Sequence, residues 1–381
     1  MKIVLKRTDE QVELIKALAS KNREVAYDAQ VALAEFIGPV LAEVINNAPT
    51  VSNLFTSLQF NAEDNPSIPL DLYYDVFDED YIKVYSQSVA GGLPQNIVQP
   101  TSSELKIATY RLDSAVAFDK KYAAKSRLDV VSKSFTRVAQ EVMLKQERTS
   151  ANLLMTALAN ASTGGSNHVI RSAAANRFIL EDLNKLFTKI KRINSSFVGG
   201  TPSGARRGLT DLIVSPEIVE QIRGMAYNPI ATKGPDLTTA PAAGDGSGIT
   251  APDSVRNQVF SQAGLPEFFG VSIMEILELG DGKKFNTIFD TVAGSTSYDG
   301  HYATGGSAGA FNGSSEQIVV GLDRSRDSLI RAVAVDSDTG SEFTLQADDQ
   351  YTLRQNKIGY FGALEEGRMV LDNRALVGLI V

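Results

Sequence analysis

From Thr101 to Thr163 the chain contains neither proline nor glycine. So long a stretch without a helix breaker narrows what the middle of the chain can become. Its first part, "SSELKIATYRLDSAVAF", alternates and is rich in β-branched and aromatic residues, which is strand patterning. Its second part, from about Arg127 to Ala161, carries Leu128, Val131, Phe135, Val138, Val142, Thr149, Leu153 and Thr156 on one stripe. A helix of that extent spans roughly 50 Å, more than the width of a small lobe. Lys133, Arg137, Lys145 and Arg148 fall on the other face, and Lys120, Lys121 and Lys125 lie just upstream. The spacing predicts a strand that feeds directly into a long beam with a basic face.

The flanking segments read differently. Asp9 to about Asn47 patterns as helix, with Thr8 and Asp9 as capping candidates, and Gly38-Pro39 predicts a break or kink. Its apolar surface is too small for an independent domain, so it must dock on the chain's own body or on another. "LDLYYDVFDEDYIKVYSQSV" reads as strand and is joined to the strand above through the turn chemistry of "AGGLPQNIVQP". A two-stranded arm of this kind is marginal in water and needs a surface to lie on. It carries Glu63, Asp64, Asp71, Asp75, Asp78, Glu79 and Asp80 with no base among them. On charge alone that is a solvated face. Downstream, "FILEDLNKLFTKIKRINSSF" is an amphipathic helix. "LTDLIVSPEIVEQIR" is a buried strand running into a helix capped by Ser215 with Pro216 in its first turn. Residues 231–254 and 294–315 are soft, Gly/Ser-rich loops, and the end of the chain is β-rich.

Bulk properties set the outer bounds. The 381 residues exceed the ~250–300 at which a single core usually stops growing, so two or more lobes are expected. Against 37 basic residues stand 45 acidic ones, and the net charge of −8 disfavours nonspecific phosphate binding. No cysteine is present, which removes disulfides, thiolate metal sites and cysteine nucleophiles and fits a reducing compartment. The N-terminus lacks the apolar run of a signal peptide, and no window of 18 apolar residues occurs, so the reading is a soluble protein with no membrane partner.

The chemistry-bearing patterns are few. His168 and His301 are the only histidines, too few for a multi-histidine metal site, and both read as surface loop residues. "GGSAG", centred on Ser307, has the G-x-S-x-G spacing of a serine hydrolase, but neither a strand before it nor a helix after it supports an elbow. "DSDTG" at 336–340 resembles the start of a calcium loop. Its twelfth position is Ala347 where a bidentate Glu is needed, so a hairpin turn is favoured. No phosphate-binding loop or dinucleotide fingerprint occurs, and "ARRG" and "KIKR" are too sparse for a nucleic-acid surface. Glu365-Glu366 cannot act as an acid/base pair on a strand, where neighbours point to opposite faces. No catalytic residue, metal or cofactor is assigned.

The order of parts carries a resemblance. "SSELKIATYRLDSAVAFDKKYAAKSRLDVVSKSF", "LTDLIVSPEIVEQIR" and "DDQYTLRQNKIGYFGALEEGRMVLDNRALVGLIV" are similar, in sequence order, to parts of the major capsid protein of tailed bacteriophages. The shared fold is named after the phage Hong Kong 97. The resemblance implies an α+β fold with an N-terminal arm at 1–56 and an extended hairpin loop at 57–105. A peripheral domain with the spine helix follows at 106–172 and an axial domain at 173–317. Return strands of the peripheral domain occupy 318–372, and a final strand at 373–381 goes to the axial domain. It further implies a subunit of an icosahedral virion shell, made in the host cytoplasm and enclosing double-stranded DNA without sequence-specific binding. Its partners are copies of itself in hexameric and pentameric capsomers, a separate scaffolding protein, a portal and, in some members, a decoration protein. In the family the hairpin lies across a neighbouring subunit. The resemblance thus pairs Asp71, Asp75, Asp78, Glu79 and Asp80 with Lys120, Lys121, Lys125, Lys133 and Arg137 between subunits. Asn356 is similar in position to the acceptor of the covalent cross-link made by some members. The only hairpin lysine, Lys83, sits on a strand and not at the tip, so no cross-link is expected. An encapsulin-type compartment shell and a serine hydrolase using Ser307 are the alternatives.

Overall fold

The computed structural model describes residues 8–46, 50–61, 66–69, 104–125, 128–163, 166–172, 176–193, 208–225, 267–268, 270–293, 311–335, 341–348 and 355–381. In chain order the elements are α1 (Asp9–Leu18), α2 (Arg23–Asn46), β1 (Thr56–Asn61), β2 (Ser67–Pro69), β3 (Glu104–Lys106), β4 (Thr109–Asp119), α3 (Lys120–Ala124) and α4 (Leu128–Ala159). There follow β5 (Ser162–Thr163), β6 (Ser166–Asn167), β7 (Val169–Arg171), α5 (Leu180–Ile193), β8 (Asp211–Val214) and α6 (Pro216–Met225). The remainder is β9 (Glu267–Phe268), β10 (Val271–Glu275), α7 (Lys284–Ala293), β11 (Ile318–Leu322), β12 (Leu329–Val335), β13 (Thr344–Asp348), β14 (Lys357–Val370) and β15 (Leu376–Ile380).

The chain forms two compact units, residues 1–150 with 329–369, and residues 151–328 with 370–381. In the first, β1, β12, β14 and β13 are neighbours in that order, and β4 also pairs with β14. The β4–β14 pairing is antiparallel and runs without interruption from Lys357 opposite Asp119 to Gly367 opposite Thr109. Period-2 alternation sets Leu112, Val116 and Phe118 against Ile358, Tyr360 and Leu364 on one face. Onto that core pack Val131, Phe135, Val138 and Val142 of α4 with Ile15, Leu18, Leu33, Ile37 and Leu41 of the arm. The second unit holds a six-stranded sheet in the order β7-β15-β11-β8-β10-β9. Its core joins Val319, Val377 and Leu379 to Leu183, Leu186 and Ile190 of α5 and Ile218, Val219 and Ile222 of α6.

Local signals explain the ends of several elements. The Thr8 hydroxyl accepts from the Gln11 amide at 3.4 Å, and Asp9 and Glu10 complement the positive end of α1. Ser215 accepts from the Ile218 amide at 3.3 Å and donates to the buried Gln317 side chain at 2.5 Å, which ties α6 to the strand beside it.

Several expectations are corrected. Gly38-Pro39 does not break the arm helix; α2 continues to Asn46. Pro39 lies on the exposed side, where water can satisfy the carbonyl that it leaves unpaired, and Gly38 sits against Phe343 and Leu345. Of the two places open to the arm, its own unit takes Ile15, Leu18, Leu33, Ile37 and Leu41. The strand beginning at Thr109 pairs with β14. Only the short β2–β3 pair, Ser67–Pro69 with Glu104–Lys106, marks the root of the hairpin among the described residues. β12 and β13, which flank residues 336–340, do not form a hairpin together; each pairs with β14. His168 is not a surface loop residue but fully buried.

Candidate functional site

Of the ten residues expected to join subunits, Asp71, Asp75, Asp78, Glu79 and Asp80 lie outside the described residues, as do Lys83, His301 and Ser307. The basic partners are all described. Lys121 is exposed on α3 and pairs with Asp119 at 3.1 Å, a hydrogen bond that holds its ammonium above the ordinary range. Lys120 is half-buried and its backbone N–H donates to the Asn356 carbonyl at 3.2 Å. Lys125 follows on the surface, and Lys133 and Arg137 project from the exposed face of α4, one turn apart. Asn356 is exposed and adopts a left-handed backbone, φ 53°.

The arrangement that sequence reasoning missed is a buried charge cluster in the first unit. Glu366 and Arg368 are two apart on β14 and therefore share a face. Tyr110 is the direct register partner of Glu366. Gln146 and Ser150 are one turn apart on α4 and point at the same place. Oε1 of Glu366 accepts from the Tyr110 hydroxyl at 2.8 Å and Arg368 Nε at 3.2 Å. Oε2 accepts from Gln146 Nε2 at 2.9 Å, Arg331 Nε at 3.0 Å and Arg368 Nη2 at 3.0 Å. Arg368 also donates to Ser150 Oγ, to Ser52 Oγ at 2.7 Å, and stacks 5.5 Å from the centre of the Phe55 ring. Arg331 reaches Asn46 Oδ1 at 3.1 Å, and Asn46 donates to Glu342 at 2.9 Å. Alongside, Glu147 accepts the Val51 amide at 2.8 Å.

Electrostatics follow from this geometry. Burial alone pushes the Glu366 carboxyl up, but the Arg368 and Arg331 guanidiniums and the Tyr110 hydroxyl outweigh it and hold it below the ordinary carboxylate range. Burial first, and the Glu366 carboxylate second, push Tyr110 up to about 12. The signal that exposes the cluster is that Gln146 and Ser150 continue the stripe of Val131, Phe135, Val138 and Val142 at steps of four with polar side chains.

In the second unit an open groove of about 630 Å³ is lined by Asn160, Ser162, Asp372, Asn373, Arg374 and short apolar neighbours. Nearby, His168 Nδ1 lies 3.1 Å from the carbonyls of both Asn373 and Leu376. Carbonyls only accept, so Nδ1 carries the proton. Burial lowers the His168 pKa, against the two backbone acceptors that raise it. Among the described residues no group of three or more His, Asp or Glu is placed to hold a metal ion.

Arm helices, the β2–β3 pair, β4, the 32-residue α4, an α/β unit and closing return strands follow one another along the chain. That is the order of parts that the resemblance implies, but β4 does not feed α4 directly, because the short helix α3 comes between. No family model and no curated protein matches the sequence. Solved structures similar to the chain include the capsid of an empty GTA particle, at 10% identity over 88% of this chain and 90% of that one, TM-score 0.49. The capsid of cyanophage P-SCSP1u is 12% identical over 86% of each chain, TM-score 0.45. The encapsulin complex from Synechococcus elongatus PCC 7942 is 10% identical over 86% of this chain and 85% of that one, TM-score 0.42.

Proposed function

We propose that this chain is a shell subunit: a major capsid protein that assembles as hexameric and pentameric capsomers into an icosahedral shell around a double-stranded DNA phage genome. The observation that carries the reading is mechanical. A continuous helix of 32 residues is braced on a sheet whose central β4–β14 pair is itself unbroken. Such a beam serves a protein that must hold distant contacts at fixed separation. Apolar side chains remain on the outer side of α2, with Phe36 54% and Val25 45% exposed, surface that copies packed in a lattice can cover. The same reading assigns the acidic hairpin residues Asp71, Asp75, Asp78, Glu79 and Asp80 to a neighbour's Lys120, Lys121, Lys125, Lys133 and Arg137. Each exposed pair contributes only about 0–1 kcal/mol, but every subunit repeats them and like-charge clashes penalise wrong docking. A separate scaffolding protein and a portal complete the set of partners, joined in some members of the family by a decoration protein, and the mature location is the virion.

Electron microscopy of the purified protein tests the reading. Closed particles containing nuclease-protected DNA support it. Closed particles filled with an enzyme instead assign the chain to the encapsulin type, and a dispersed monomer refutes both. Ester or peptide hydrolysis abolished by Ser307→Ala would reassign the chain as an enzyme.

A further inference from the structure

The buried charges of the first unit stand where apolar residues would serve stability as well. Glu366 is 0% exposed, Arg331 5% and Arg368 9%. Withdrawing ions from water is costly, and a well-packed apolar trio of similar volume is often equally stable or more so. Ions differ in being directional: their contacts are satisfied in one arrangement only. Here they join the end of the arm through Asn46 and Ser52, β4 through Tyr110, the long helix through Gln146 and Ser150, and the strands β12 and β14 that carry the charges themselves. Apolar burial specifies the register of β14 less tightly. A slip by two residues keeps Ile358, Tyr360 and Leu364 on the core face, yet moves Glu366 about 7 Å from Gln146.

We infer that Glu366, Arg331 and Arg368 form a register lock, retained for specificity rather than stability. The lock holds arm, β4 and helix on the return strands in a single arrangement, so that all copies share one geometry. The last clause rests on the shell reading; the lock itself does not.

The test replaces all three at once, Glu366→Leu with Arg331→Met and Arg368→Met, beside the single change Glu366→Gln. The single variant leaves the buried Arg368 without a counter-ion and Arg331 with only Glu342 at 3.8 Å, and its unfolding midpoint falls. The triple variant keeps or raises the midpoint. Its hydrogen-exchange mass spectra for peptides of β12, β14 and the arm split into more than one envelope, and its particles vary in diameter. A triple-variant midpoint more than about 5 °C below wild type makes the trio an ordinary stabiliser and overturns the inference. An unchanged midpoint with single envelopes and uniform particles overturns it as well. Should this combination not fold, the three sites are varied together among Leu, Met, Phe and Tyr, and the absence of any folded member also overturns it. Wild-type protein that forms no shells refutes the proposed function alone, and the exchange envelopes then decide the lock.

Discussion

Replacing Tyr360 by Phe removes one oxygen from the core of the first unit and is expected to stabilise the protein. Tyr360 is 1% exposed, and its hydroxyl has no hydrogen-bond partner among the described residues. Burial pushes its pKa up, so it stays neutral over the whole accessible pH range and contributes no charge. A buried hydroxyl that has lost water without a replacement costs about 1–3 kcal/mol. Phe keeps the ring and with it the edge-on contact to Phe135 at 5.2 Å and the stacking on Phe118 at 6.3 Å. The vacated space is roughly 10–15 Å³, which at ~24 cal/mol per Å³ costs only about 0.3 kcal/mol. The net gain is about 1–2.5 kcal/mol, or a few degrees in midpoint. Urea denaturation of dissociated subunits at pH 6 and pH 8 measures it, with the same gain at both. A loss of stability would show that the hydroxyl has a partner in solution and that the packing of Phe118, Tyr360 and Phe135 is misread.

Three further outcomes are expected. Gly362→Ala places a methyl 2.9 Å from Phe343 Cε1 and should destabilise by about 1–3 kcal/mol in the same denaturation assay. His168 has a folded pKa below its ordinary 6.5. The stability it contributes is therefore complete above pH 6.5 and is lost as pH falls from there through the folded value, by at most about 1.4 kcal/mol per pH unit. His168→Gln should remove that part of the pH dependence in denaturation curves taken between pH 8 and pH 5. Val142→Pro, in the interior of α4, should cost about 3 kcal/mol or more and abolish particles in electron micrographs.

Short-range chemistry was the legible part of this chain. The absence of breakers after Pro100 located α4 within two residues of its ends, and Thr8, Ser215 and Pro216 marked helix starts where caps are indeed made. Past Val142, however, the sequence stripe was followed to Thr149, Leu153 and Thr156, whereas the buried track continues through Gln146, Ser150, Leu154 and Leu158. The track is polar in the middle because it faces Glu366 and Arg368, more than 200 positions away, and no local period reports such a partner. Strand partners were hidden for the same reason: β4 was assigned to its neighbour in sequence but pairs with β14. The acidic half of the expected contact lies outside the described residues, while Lys133 and Arg137 stand exposed on α4 as their spacing implied.

The strand order of the second unit bears on how the chain is synthesised. β15, the last strand among the described residues, is not an edge; it lies between β7 and β11 and is buried along its whole length. The first unit likewise lacks its central strand until β14 has been made. A ribosome that has translated 328 residues therefore carries a chain in which neither sheet can close. Closure of both awaits strands made after residue 328, so the two sheets are completed by one stretch of the chain. A chain stopped before Leu376 keeps a slot flanked by the open edges of β7 and β11, unpaired edges of the kind that template aggregation.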